Sequence, residues 1–132
     1  MHIFDSPVIN VLKQGLDAGS LRQRVIAHNL ANLNTPGFKK SYVSFEDRLK
    51  AALSKEGVPL KGTHPLHMGT AGPAVKPEVK QVKDSTMRYD GNNVDIDEEM
   101  VNLAAATIQY DLLGQGLIDR YNILSLVIGG RR

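Results

Sequence analysis

The sequence has no cysteine and no tryptophan, and Phe and Tyr together supply only 5% of it. Without cysteine there are no disulfides and no thiolate metal sites, though the compartment stays open. With so few rings, any core must be mainly aliphatic. An excess of one charge is also missing. Sixteen Lys and Arg stand against 14 Asp and Glu in 132 residues, a formal net charge of +2. Such a balance gives no electrostatic footprint for nucleic acid. No run reaches the roughly 20 apolar residues of a membrane helix. The lead Met1–Pro7 has neither a basic n-region nor an apolar core of secretory type. The expectation is a soluble chain that, if it leaves the cytoplasm, does so without a cleaved signal. Its length suits one domain of modest core, residues 1–132.

What is present centres on Ala27 to Lys40, where a helical pattern runs in and stops. Helix is predicted through Asn34. Pro36 then has no backbone donor and pushes Thr35 out of the helical region. Gly37 offers positive φ, so Thr35-Pro36-Gly37 reads as a turn with Pro second and Gly third. Asn29, Asn32 and Asn34 have short amides able to bond the backbone where the helix unwinds. Read locally, this is a helix stop. Asn32, Thr35, Pro36 and Gly37 are the residues expected to set its geometry.

Two long helices bracket the chain. The first is predicted over 7–34, with Ser6 as N-cap and Pro7 in the first turn. Ile9, Leu12, Leu16, Gly19, Gln23, Ile26, Leu30 and Leu33 alternate at spacings of three and four, a heptad-like seam. Gly15 and Gly19 share a face and either admit another backbone closely or simply weaken the helix. The second helix is predicted over 95–128. Asp95 is its cap, Glu98 its capping-box partner, and Gly129-Gly130 its stop. Its seam is Met100, Leu103, Thr107, Tyr110, Gly114, Leu117, Tyr121, Leu124 and Ile128. Residues 8–34 carry three bases against one acid, net +2, and residues 95–128 carry six acids against one base, net −5. Opposite signs favour pairing of the two. A 33-residue helix spans roughly 50 Å. A hairpin that long has a poor surface-to-volume ratio, and its seams would bury more in an assembly.

Between them, Ser41–Phe45 reads as extended and Glu46–Glu56 as a short helix with Phe45, Leu49, Ala52 and Leu53 as its stripe. Residues 57–84 hold four of the six prolines and show no periodicity. That predicts a loop, a lid, or disorder until a partner binds, with at most a short exposed strand near Val75–Val82. Asp90-Gly91-Asn92-Asn93 is a turn cluster. The fold class predicted is mainly α, two long terminal helices pairing as an elongated coiled-coil-like hairpin around an irregular, partly extended or disordered middle.

Chemistry is scarce. His64 and His67 are the only close histidine pair, with no carboxylate near them in sequence. His28, beside the asparagines, suits packing or capping. Asp95, Asp97, Glu98 and Glu99 lack calcium-loop spacing and suit a helix cap. No nucleophile elbow, phosphate loop or dinucleotide fingerprint occurs. Residues 35–94 hold ten Lys and Arg against six acids, but Phe38, Tyr42, Phe45 and Tyr89 do not recur in a base-stacking pattern. A small metal-binding enzyme and a basic DNA-binding helical module are the alternative classes.

Ala31-Asn32-Leu33-Asn34-Thr35-Pro36-Gly37-Phe38-Lys39 closely resembles the Ala-Asn-x-x-Thr-Pro-Gly-[Phe/Tyr]-Lys signature of the bacterial flagellar rod and hook proteins. Asp90-Gly91-Asn92-Asn93-Val94-Asp95-Ile96-Asp97 resembles the segment before the C-terminal helix of their smallest, proximal-rod members, and Thr63–His67 resembles a loop of the same members. The resemblance covers essentially the whole chain. It implies a structural subunit and not an enzyme, with no cofactor, no metal, no small-molecule substrate and no nucleic acid. It implies export by the flagellar type III apparatus, assembly in the periplasmic rod of the basal body, and torque transmission for motility. Partners implied are other rod proteins, the FliE adaptor, the MS ring and the export gate, besides self-association. Phe45-Glu46-Asp47-Arg48-Leu49 also fits an early-substrate export signal, with a core contact of the short helix as the simpler reading.

Overall fold

The computed structural model describes residues 6–55 and 75–130. Five elements follow in order: α1 (Pro7–Ala31), β1 (Ser41–Ser44), α2 (Glu46–Lys55), β2 (Glu78–Gln81) and α3 (Ile96–Ile128). The fold is mainly helical, with α1 and α3 packed against each other. Residues 56–74, including the His64–His67 pair, lie outside the described residues.

Local chemistry explains most boundaries. Pro7 opens α1 after Ser6 in extended conformation, as the sequence predicts, but the Ser6 side chain makes no capping bond. Helix α1 stops at Ala31, three residues before the expected Asn34. Asn32 there has φ −102° and ψ 15°. Its amide donates to Asn29 O at 3.1 Å and His28 O at 3.2 Å, and its side-chain Nδ2 also reaches His28 O at 2.9 Å. Leu33 N then bonds Leu30 O, a tighter i to i−3 turn that closes the helix. At α3 the Asp95 side chain accepts from Asp97 N (2.9 Å) and Glu98 N (3.4 Å), so the expected cap forms. The Glu98 carboxylate turns instead to Lys40 Nζ at 2.7 Å, so the reciprocal half of the capping box is replaced by an ion pair.

Strands β1 and β2 form a two-stranded antiparallel sheet in the register Ser41↔Gln81, Tyr42↔Lys80, Val43↔Val79, Ser44↔Glu78. All four residues of β2 are exposed, as suits an edge strand rich in charge. A small core of Ala18, Val43, Phe45 and Val75 fixes this unit on α1, with Leu21, Val25, Leu49 and Ala52 around it. Burying Phe45 there is worth about 1.5–3 kcal/mol.

Helices α1 and α3 run antiparallel. Asn29 faces Glu99, Arg22 meets Gln109, Gly19 meets Tyr110, Gly15 meets Leu113 and Leu12 meets Gly116. The two glycines of α1 form hollows for side chains, not for another backbone. A Cβ on Gly15 would stand 3.1 Å from Leu113 Cδ1, and one on Gly19 3.2 Å from Tyr110 Cδ2. On α1, Ile9 and Ile26 are buried and Leu12, Leu16 and Leu30 are half-buried, as is Leu33 just past its end. On α3 the row facing α1 coincides only in part with the expected seam, and Tyr110 of that seam fills the Gly19 hollow. Glu99 and Ala106 are buried, Leu103, Leu117 and Leu124 are half-buried, and Met100 and Ile128 are exposed. The reason is that α3 is apolar nearly all round. Alternating three-four rows can be traced on it in more than one phase, and the glycine hollows and Asn29 decide the rotation.

Candidate functional site

The junction at the end of α1 is where both motifs meet. Thr35-Pro36-Gly37-Phe38 forms the predicted turn: Phe38 N bonds Thr35 O at 3.3 Å and Gly37 has φ 72°. Arg88-Tyr89-Asp90-Gly91 forms a second turn, closed by Gly91 N to Arg88 O at 3.0 Å, with Gly91 at φ 81°. The turns lie against each other. Gly37 N donates to Asp90 O at 2.8 Å, and a Cβ on Gly91 would stand 3.6 Å from Gly37 Cα. Glycine is needed at both for its left-handed conformation.

Three fully buried asparagines hold this contact together. Asn92 Nδ2 points into the frayed end of α1, within 3.1 Å of Asn32 O, 3.0 Å of Leu33 O and 2.9 Å of Thr35 O. Its Oδ1 accepts from Val94 N at 2.8 Å. These carbonyls lie at and just beyond the end of α1, so one side chain from 57–60 residues away pins the segment where the helix unwinds. Asn93 Oδ1 accepts from Lys40 N (2.6 Å), and its Nδ2 donates to Val82 O (3.1 Å) and Ser85 Oγ (3.0 Å). Asn29 acts as a strand partner for Ser41, accepting from its N (3.0 Å) and donating to its O (2.8 Å). The same Nδ2 reaches Glu99 Oε2 at 3.0 Å and so ties α1, β1 and α3 at one point.

The remaining motif residues surround this lock. Lys39 Nζ donates to Ser85 O at 2.8 Å. Phe38 stacks at a tilt on His28, ring centroids 5.5 Å apart, which gives His28 the packing role expected of it. Ala31, Thr35 and Pro36 are exposed, and Val94 is buried behind the turn. Tyr89 stands wholly exposed at the tip. Phe45 is 5% exposed and Leu49 packs beside it, so in the folded chain both belong to the core.

Sequence reasoning missed Asn93 and Glu99 as junction residues, and Ser85 and Arg88 as well. Adjacent asparagines after a glycine were a visible signal; their targets, far away in sequence, were not. It also missed Arg22, which joins Glu46 by an ion pair and Gln109 by a 2.9 Å hydrogen bond. Burial would raise the Glu46 carboxyl, but the Arg22 hydrogen bond, neighbouring backbone N–H groups and the Arg22 charge outweigh it and hold it below its usual range. Among the described residues, no group of three or more His, Asp or Glu is placed to hold a metal, and no helix is long and apolar enough to cross a membrane.

An elongated helix pair, locked at one end by buried amides and carrying exposed apolar residues along α3, defines a class: a helical structural protein. The family model described as "Flagella basal body rod protein" matches residues 9–39, which span α1 and the first turn. The flagellar basal body rod protein FlgB of Borrelia hermsii is 36% identical over 135 residues, covering 97% of this chain and 99% of its own. FlgB of Bacillus subtilis is 30% identical over 131 residues, 98% of each chain. The rod protein FlgG of a Buchnera aphidicola subspecies is 45% identical over 51 residues, 39% of this chain and 20% of its own. The chain belongs to the FlgB family of flagellar basal body rod proteins. It is a structural component of the basal-body rod.

Proposed function

We propose that the chain acts as one domain in the proximal rod and polymerises through α1 and α3 to carry torque for motility. It performs no catalysis. Its neighbours are other rod proteins, the FliE adaptor, the MS ring and the export gate. It leaves the cytoplasm through the flagellar type III apparatus. Phe45 and Leu49 would serve as an export signal only in the unfolded chain, because folding buries Phe45.

One observation carries the reading. Helix α3 has 33 residues, yet only Glu99 and Ala106 are buried, and Val101, Ile108, Leu112, Ile118, Ile123 and Leu126 are each more than half exposed. A helix apolar all round is stable in water only when covered on all sides. Within this chain α1 covers one side. Subunit packing covers the rest.

The test is complementation of a strain lacking its rod subunit, with recovery of basal bodies. The wild-type chain is expected to restore motility and to copurify with the rod. Leu30→Asp or Leu117→Asp, on the paired faces, is expected to abolish both. Full motility with either variant refutes assembly through these faces, and absence of the wild-type chain from purified rods refutes the reading altogether.

A further inference from the structure

Glu99 carries a charge that nothing in the described chain balances. The residue is 3% exposed, and its hydrogen bond comes from a neutral amide, Asn29 Nδ2 to Oε2 at 3.0 Å. The cations nearby are committed elsewhere. Arg22 bonds Glu46 and Gln109, and Lys40 pairs with Glu98. Among the described residues no Lys or Arg forms an ion pair with Glu99. A carboxylate taken out of water is costly unless it is both hydrogen-bonded and paired. The folded chain provides the hydrogen bond and not the counter-charge.

The second oxygen, Oε1, accepts nothing from the described residues. Among them no side-chain N or O is both sealed from solvent and without a partner, so Oε1 holds part of the small surface that Glu99 keeps. That surface opens on a hollow of about 360 Å³ between α1, β1 and α3, and Glu99 belongs to its lining. Asn102 brings a side-chain amide to the same lining, and Tyr42 a half-exposed ring. Arg22 and Glu46 also border the hollow, but they cancel each other, so the charge left over is that of Glu99. We propose that this hollow receives an arginine side chain from a neighbouring protein of the rod.

The chemistry of the lining selects the guanidinium. That group is always charged and more weakly hydrated than an ammonium, so it enters a buried site at the lower cost. Its planar fork of donors suits a carboxylate oxygen beside an amide oxygen, which Glu99 and Asn102 supply. Its face stacks on an aromatic ring, which Tyr42 supplies. A metal ion needs more oxygen ligands, and among the described residues no group of three or more His, Asp or Glu is placed to hold one. The neighbour as source of the arginine rests on the assembly reading; affinity for the guanidinium is a property of the folded chain.

The probe is N-acetyl-arginine amide, titrated into the isotope-labelled full chain and read by NMR at the side-chain amides of Asn29 and Asn102. Saturable shifts at both are expected, with millimolar affinity. Glu99→Gln keeps an acceptor for Asn29 and removes the charge, and should weaken binding about tenfold or more. Ala105→Phe, at an exposed position of the lining, fills the hollow and should abolish the shifts with the helical circular dichroism retained. No shift with the arginine probe overturns the proposal. So does unchanged binding by either variant, or an equal response to N-acetyl-lysine amide or magnesium chloride. Both variants are also expected to enter the rod less than the wild-type chain in the complemented strain. A variant that binds no probe yet enters the rod as well as the wild type overturns the docking alone. A wild-type chain that never enters the rod overturns the assembly reading, whatever the titration shows.

Discussion

Replacing Asn92 by alanine tests the junction most sharply. Its Nδ2 has two protons for three carbonyls, so it makes at most two full hydrogen bonds at a time. Those carbonyls keep other donors: Thr35 N for Asn32 O, Arg88 Nη1 for Leu33 O and Phe38 N for Thr35 O. The buried Val94 N loses its Oδ1 acceptor and gains nothing. One orphaned donor costs about 1–3 kcal/mol, and two lost hydrogen bonds add roughly 0.5–1.5 each. The expected loss is about 2–6 kcal/mol in urea unfolding of the dilute chain. Asn92→Asp keeps the shape but aims a carboxylate at three carbonyl oxygens. Its pKa in the folded chain would rise above the ordinary value of about 4, so its cost appears above that pH and grows as pH increases. At neutral pH it should exceed the cost of alanine, and in acid it should fall below it. An alanine cost under about 1 kcal/mol, or an aspartate variant indifferent to pH, refutes the view that this amide holds the two motifs together.

The other predictions concern the helix pair. Gly114→Ala meets nothing within 4 Å and should stabilise by about 0.5–1 kcal/mol through helix propensity, read as a raised urea midpoint. Gly15→Ala and Gly19→Ala should gain less or lose stability, because their new Cβ atoms press on Leu113 and Tyr110 at 3.1 and 3.2 Å. Equal gains at all three would mean the glycine hollows are not filled. Gly37→Ala, at φ 72°, should cost about 1–2 kcal/mol without altering α3. Arg22→Ala should cost no more than about 1 kcal/mol at neutral pH, since the Glu46 side chain is 63% exposed and screened. The Glu46 carboxyl is held low, so the pair contributes fully above the ordinary value of 4.5 and fades as pH falls through the lowered one. The gap between wild type and Arg22→Ala should therefore close in acid; a gap that widens there contradicts the assignment.

Boundaries were legible wherever a local rule acts alone. Pro7 starts α1, Asp95 caps α3, Gly129 follows its end, and Pro36-Gly37 makes the turn, because each depends on backbone preferences within a few residues. The extended Ser41–Ser44 and the short helix after it were legible for the same reason. Asn32 was read as part of a helix running to Asn34, and the structure stops the helix at Ala31, since an amide free to bond its own preceding turn competes with the ladder.

Sequence alone determined that two long apolar-rich helices bracket the chain, that they carry opposite charge, and which motifs stand at their ends. Tertiary structure decided what those motifs do. Asn92 meets the end of α1, Asn29 meets Glu99, and β2 finds β1 because packing brings residues dozens of positions apart into hydrogen-bond range. It also decided which side of α3 faces inward. A pattern apolar on every side has no preferred phase, so only the shape of α1, with its two glycine hollows, selects the row that α1 covers and leaves the rest exposed.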